Sequence, residues 1–472
     1  MTRSNRMESF FTGYLYPVIV AALVLIGNVY AIEVYLNTIN VVLVCIALLC
    51  CRTIRPLLPF LLTFIYQVSM KHTPSNPTAS DFYFTGWRVP LHLCLIALLT
   101  LSILVCLWRS GVLRLHNPFS LPLLLPIILM SVGLLLNGYG HPEYYFMNAV
   151  WGGGVALSLG ALFYVFYLGM KEEDPEELIR YFTFLTLVIS WILILEMANG
   201  LCSYGWIKDG RLQRNSIMLG YGVNNLVAYN ISMLVPVNFY GFMKAKHPLP
   251  HLITAILLYL TTIVTMSRNS VLFGGIFFVI CFLTIMLFGE RKALARVSFL
   301  LLGLSVAAAI LFFKDSVSTL LRDMIDKGAS DSGRFSIWRQ SFALFQEYPI
   351  FGAGFFGLNY TSGPFLPKTI VPDFSHNTVF QLLGTTGLCG FVGYAVYRLA
   401  IIKRILLHIN LEKWMFGLAA LVIAAQSLLD NYVFNFYTAF YPIAALAILV
   451  LLDDEQRGER RSDAYFIKHW RS

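Results

Sequence analysis

Apolar runs of roughly 17 to 25 residues recur along nearly the whole chain, and that recurrence limits the fold more than any motif does. Each run can cross a hydrocarbon core about 30 Å thick. Inside lipid every backbone N–H and C=O must find a partner within the protein, which leaves helices or closed barrels. The runs do not alternate apolar with polar, as barrel strands do, so helices remain. Hydrophobic residues make up 58% of the chain and charged ones only 12%, which excludes a string of soluble domains. The expectation is an all-α, polytopic integral membrane bundle with about 14 (12–14) transmembrane helices.

Spans are expected near 13–32, 34–51, 56–70, 91–108, 119–137, 148–169, 181–199, 218–243, 250–267, 270–289, 297–313, 376–400, 414–430 and 434–452. The third is short for a crossing, and charge supports keeping it. With a cytoplasmic N-terminus, cytoplasmic segments then hold roughly 22 Lys and Arg against about 12 outside. The start, with Arg3 and Arg6, resembles a signal n-region, but the run that follows is too long and reads as a retained first span. The net charge of +9 is dispersed over short loops, which fits basic cytoplasmic loops and gives no reason to expect a nucleic-acid partner. Seven of the eight cysteines fall in apolar runs, so no disulfide or zinc framework is indicated. Segments 71–90, 138–147, 200–217 and 314–375 are expected outside. The organisation expected is N-terminal transmembrane helices over 1–199 and a catalytic transmembrane region over 200–452 that includes the extracytoplasmic loop 314–375. A cytoplasmic tail follows over 453–472.

Arginines on the outer side run against the topology signal and need another reason to be there. Arg268 falls between two apolar runs, where a charge is costly unless paired or solvated by a cavity. Its bland alternative is a snorkelling arginine at a helix end. Arg211 and Arg214 precede Gly220-Tyr221-Gly222-Val223-Asn224-Asn225, a glycine- and asparagine-rich start to a span whose exposed amides could hold an anion. The segment 333–348 reads as a helix capped by Ser332 or Asp331 and stopped by Pro349. Phe335, Trp338, Phe342 and Phe345 form an apolar stripe along it, with Arg334 near Trp338 and Arg339 on another side. Gly352-Ala353-Gly354 makes a close turn that is too short for a phosphate loop. His376-Asn377 follows where the chain returns to the membrane, and a histidine at that rim is a candidate base. Glu196 and Asp430 are placed to pair with arginines. Asp323 and Asp326 are one turn apart, but no metal ligand set has the right spacing.

Arg334 with Trp338, Pro349, Gly352-Ala353-Gly354, His376-Asn377 and then Gly384, Gly387 and Gly390 resemble the signature of the bacterial O-antigen ligase and Wzy-type O-antigen polymerase superfamily. Ser267-Arg268 is similar to that family's arginine at an outer helix end, and 220–225 to its helix start behind another arginine. The resemblance covers roughly 200–440, and the expected span count is about two above the usual ligase number. It implies a GT-C-like, metal-independent glycosyltransferase without a cofactor. The implied setting is the bacterial plasma (inner) membrane, with the active site facing the periplasm or cell exterior. The implied partners are a polyprenyl-diphosphate-linked oligosaccharide donor, a glycan acceptor and membrane lipid, and could include a chain-length regulator and a flippase.

The residue types suit that chemistry. A lipid diphosphate leaves readily once its charge is held, and arginine holds it bidentately. Arg211 or Arg214, Arg268, Arg334 and Arg339 are the diphosphate-binding candidates. The acceptor hydroxyl is a poor nucleophile that a base helps, with His376 as candidate; Arg268 and Arg334 would stabilise charge as the anomeric bond breaks. Polymerase is the favoured reading, and a ligase that moves the glycan to lipid A-core or another surface acceptor is the alternative. A transporter or flippase of lipid-linked oligosaccharide would share the basic outer cavity but would need an inner-facing one too. A metal-dependent enzyme would need an early outer carboxylate, for which Glu33, Asp81 and Glu143 are available.

Overall fold

Apolar segments satisfy their own backbone as helices, and where glycine or proline breaks a segment another part of the chain must complete the bonding. Both halves of that rule shape this protein. The structure, a computed structural model, describes residues 3–69, 85–111, 121–142, 146–208, 211–213, 216–219, 222–312, 314, 318, 322, 334–356, 375–407, 409–430, 434 and 436–456. The helices in its first half are α1 (Arg3–Phe11), α2 (Leu15–Tyr30), α3 (Glu33–Cys50), α4 (Leu57–Thr63), α5 (Arg88–Arg109), α6 (Leu124–Leu135), α7 (Met147–Gly169) and α8 (Pro175–Ser203). Two short antiparallel hairpins follow, β1 (Ile207–Lys208) with β2 (Arg211–Leu212) and β3 (Met218–Leu219) with β4 (Gly222–Val223). Then come α9 (Asn224–Lys244), α10 (Pro248–Val264), α11 (Arg268–Phe288), α12 (Lys292–Phe312), α13 (Arg334–Glu347), α14 (Thr378–Leu406), α15 (Leu411–Gln426) and α16 (Phe440–Gln456).

The protein is an all-α polytopic membrane protein. Among the described residues seven helices are long and apolar enough to cross a bilayer: α3, α5, α7, α8, α9, α11 and α14. Shorter apolar helices cover Leu15–Tyr30, Leu57–Tyr66, Leu124–Leu135 and Pro248–Val264. The run expected as a third span illustrates the difference. Only Leu57–Tyr66 is helical there, about 15 Å of rise and half a crossing. At the centre lies α9, whose membrane-length stretch is wholly buried. It packs against α8, α10, α11 and α15.

Charge gathers at one end of the bundle. Lys413 and Asp453, both fully buried, form an ion pair, and Arg404 binds Asp453 and Asp454. Arg55 binds Glu173 and Glu177, and Arg291 donates to the carbonyls of Phe242 and Ala245. Lys413 lies in the first turn of α15, so the far end of that helix is about 20 Å away.

Glycines set the backbone at that far end. The span expected over 376–400 is two helical pieces joined at Gly387, whose φ of 59° and ψ of −157° are non-helical. A break leaves amides and carbonyls without partners, and the segment after α13 supplies them. Ala353 and Gly354 donate to the carbonyls of Gly384 and Thr385, and the amides of Leu388 and Cys389 donate to Pro349 and Ile350. Asn137 and Asn148 pin the same segment by accepting from the amides of Phe355 and Phe356. The turn at Gly352-Ala353-Gly354 therefore repairs a helix. Beyond the break α14 meets α6 backbone to backbone, since a Cβ on Gly133 would lie 2.5 Å from the Cα of Gly390. Small residues permit such approach in membranes.

Replacing Gly387 by alanine should destabilise the protein by about 3 kcal/mol or more, because the backbone there suits glycine and the new methyl meets Ile350 O at 2.5 Å. Gly140→Ala also alters a positive-φ glycine, but nothing lies within 4 Å of the new methyl. Thermal unfolding in detergent should show a clearly larger drop for Gly387→Ala; equal drops would rule out the proposed packing at the break.

Candidate functional site

The last turn of a helix presents carbonyls with no intrahelical donor, and in an apolar setting each lost partner costs several kcal/mol. After α15 the chain turns through Gln426, Ser427, Leu428, Leu429 and Asp430, and each of the five is met by a group from elsewhere. Asn269 Nδ2 donates to Gln426 O at 2.9 Å, and the Thr378 amide to Ser427 O at 2.9 Å. Asn377 Nδ2 donates to Leu428 O at 2.7 Å, and Arg334 Nη1 to Leu429 O at 2.9 Å. His376 Nδ1 lies 2.9 Å from Asp430 Oδ1.

These contacts place three helix N-termini around one turn. Arg268 and Asn269 open α11, Arg334 opens α13, and Thr378 opens α14. Helix N-termini carry partial positive charge and favour anions. Two of the three first residues are arginines. Arg268 is half-buried and has an interaction partner within the protein. The Arg334 guanidinium has five N–H groups, and among the described residues only the bond to Leu429 engages them.

His376 is held from several sides. Its φ of 50° is left-handed, a conformation uncommon outside glycine. The neighbours on each side fix it there. Ser375 donates its amide to Gln381 Oε1 and its hydroxyl lies 2.6 Å from that of Ser341, while Trp338 Nε1 donates to its carbonyl at 2.8 Å. Asn377 caps α14 by accepting from the amides of Val379 and Phe380. The Trp338 ring stacks on Phe380 at 5.3 Å. An ionised carboxylate only accepts hydrogen bonds, so Asp430 fixes the proton on Nδ1 and leaves Nε2 of the neutral ring as an acceptor. The imidazole is 43% exposed and the carboxylate 10%, so a second reactant can approach the ring but not the aspartate.

Of the residues singled out in the sequence, Arg334 and His376 meet the same turn directly, and Arg268 adjoins it through Asn269. Arg339 is exposed further along α13. Arg211 lies in β2 opposite Lys208, and its side chain is outside the described residues, as are Arg214, Ser332, Asp331, Asp323 and Asp326. The start at 220–225 is a hairpin leading into α9, with Gly220 and Tyr221 outside the description. On α13 the buried residues are Ser341 and Leu344, whereas Phe335 and Phe342 face outward. Gly384 lets α13 approach α14 closely: a Cβ there would lie 2.9 Å from the Ser341 carbonyl oxygen. Glu196 accepts from Asn28, far from this turn in sequence. Asp430 proves to be the partner of His376, and no local motif signals that pairing across 54 residues.

The arrangement offers a carboxylate-oriented imidazole beside arginines and positive helix ends, a combination able to take a proton next to a bound anion. No curated protein matches the chain. Residues 253–395, which contain Arg268, Arg334, His376 and the Gly384, Gly387 and Gly390 series, match the family model described as O-Antigen ligase, and this match supports the chain's membership of the O-antigen ligase and Wzy superfamily.

Proposed function

We propose that the protein is a GT-C-like, inverting, metal-independent glycosyltransferase working on the extracytoplasmic face of the bacterial inner membrane. It moves an oligosaccharide from a polyprenyl-diphosphate-linked donor to a sugar hydroxyl. The observation that carries this reading is the meeting of the His376–Asp430 pair with Arg334 and three helix N-termini at one turn. His376 Nε2 takes the proton of the acceptor hydroxyl as its oxygen attacks the anomeric carbon. The bond to the donor diphosphate breaks with its electron pair leaving on phosphate oxygen. Arg268 and Arg334 hold that growing charge, with Arg211 or Arg214 and Arg339 as further clamps. Backside attack inverts the anomeric carbon, and a diphosphate held this way needs no general acid.

The opposite end of the bundle supports transfer over transport. There Lys413, Asp453, Asp454 and Arg404 tie α14, α15 and α16 together. Opening a passage between those three helices would part the buried ion pairs, and unpaired buried charge costs about 3–5 kcal/mol.

His376→Ala should leave donor binding nearly unchanged and lower single-turnover transfer by roughly 100-fold or more. Asp430→Asn should lower transfer comparably, because an amide can donate to Nδ1 and favour the wrong tautomer. Arg334→Ala should weaken donor binding and transfer together, and Arg334→Lys should restore little. If His376→Ala abolishes donor binding while transfer per bound donor stays normal, the histidine belongs to the clamp and the base lies elsewhere.

Lipid-linked repeat units incubated alone with the purified protein should give a ladder of products, and the ladder should persist in chelator. Product formation only after a different glycolipid acceptor is added would make the enzyme a ligase. Loss in chelator with recovery on adding magnesium would overturn metal independence.

A further inference from the structure

A cavity of about 170 Å³ lies between α14 and α15, several times the roughly 30 Å³ share of one water. One end is formed by Thr378, Val379 and Leu428, next to His376 and inside the turn that carries Asp430. Ala424 and Tyr394 continue the wall to Arg398. In a straight helix Thr378 and Arg398 would stand about 30 Å apart. Both line this one cavity, and α14 is non-helical between them, at Gly387. The cavity thus connects an arginine of the second half of α14 with residues next to the proposed site.

Arg398 is an unusual occupant of such a wall. Its Nε donates to Tyr394 Oη at 2.7 Å, and its guanidinium carbon lies 4.9 Å from the Tyr394 ring centre and 5.7 Å from that of Tyr397. Among the described residues no carboxylate pairs with it. An arginine that merely ends a helix would extend to the nearest polar surface. This one turns toward Tyr394, one helical turn closer to the break and away from Lys403 and Arg404. A second space of about 30 Å³, enough for one water, adjoins it on the other side. Intramembrane charge without a countercharge marks a place for an anion. Apolar walls around it suit an anion joined to a hydrocarbon chain.

We propose that this cavity receives the diphosphate end of a polyprenyl-linked donor and that Arg398 is one of its phosphate-binding residues. The proposal rests on the reading of the chain as a glycosyltransferase that uses such a donor. It adds a cation from outside the stretch that matches the family model, which ends at residue 395. Held between Arg398 and the arginines of the rim, the diphosphate places its sugar-bearing oxygen toward His376. Tyr394 is a positioning residue, since it orients the guanidinium.

The test measures binding of three probes to the purified full chain in phosphatidylcholine nanodiscs: polyprenyl diphosphate, the matching polyprenol, and phosphatidylglycerol. Arg398→Gln should weaken polyprenyl diphosphate binding at least 10-fold and leave polyprenol binding unchanged, and Arg398→Lys should recover part of the loss. Equal loss for polyprenol would show that the arginine only shapes the cavity and overturn the proposal. So would unchanged diphosphate binding in Arg398→Gln, or preference for phosphatidylglycerol over polyprenyl diphosphate. If the wild-type protein binds no polyprenyl diphosphate, the donor class itself is wrong, a result distinct from failure of Arg398 alone. Should Arg398→Gln not fold, Ala424→Phe fills the cavity and keeps the arginine; it should lower diphosphate binding, and unchanged binding would likewise overturn the proposal.

Discussion

The end of α15 is the hub of the candidate site, because it cannot be left as it is. Four consecutive carbonyls from Gln426 to Leu429 have no donor within α15 and need partners from elsewhere. Donors arrive from α11, α13 and α14. Meeting that demand brings Arg268, Arg334 and His376 to one place as a by-product of backbone bonding. In such a site, moving any one helix start leaves a carbonyl without its donor. The aspartate that ends the turn then fixes the tautomer of the histidine.

A second dependence runs beneath the first. The break at Gly387 would be intolerable in lipid if the segment 349–354 did not complete its hydrogen bonding. That segment is in turn tied to α6 and α7 through Asn137 and Asn148. The N-terminal helices, which share only hydrophobicity with the superfamily signature, therefore support the geometry around His376 through two asparagines and a glycine contact.

Much of this was legible in the chain. Long apolar runs gave the all-helical membrane class, and of the arginines singled out Arg334 meets the turn after α15 directly while Arg268 adjoins it. The glycines at 352, 354, 384, 387 and 390 were visible as a series, but their task was not. Sequence shows that Gly387 permits a non-helical backbone and cannot show which distant carbonyls it must face. Asp430 reads in the sequence as a partner for arginine because it sits near the outer end of a span; its bond to His376 depends on a turn of tertiary origin. Arg398 was hidden for a simpler reason. An arginine eight residues before the end of a long apolar helix reads as a snorkelling cation, and only the tertiary structure shows that it lines one cavity with Thr378.

The order of the chain gives the turn at 426–430 one more consequence. Every donor that completes it is synthesised earlier: Asn269, Arg334, Asn377 and Thr378 are in place before Leu429 leaves the ribosome. The basic helix starts therefore precede in the chain the turn whose carbonyls they meet. A nascent chain stalled short of residue 430 holds the basic residues without the carboxylate that orients His376. Until residue 430 is made, His376 has no carboxylate partner at this turn.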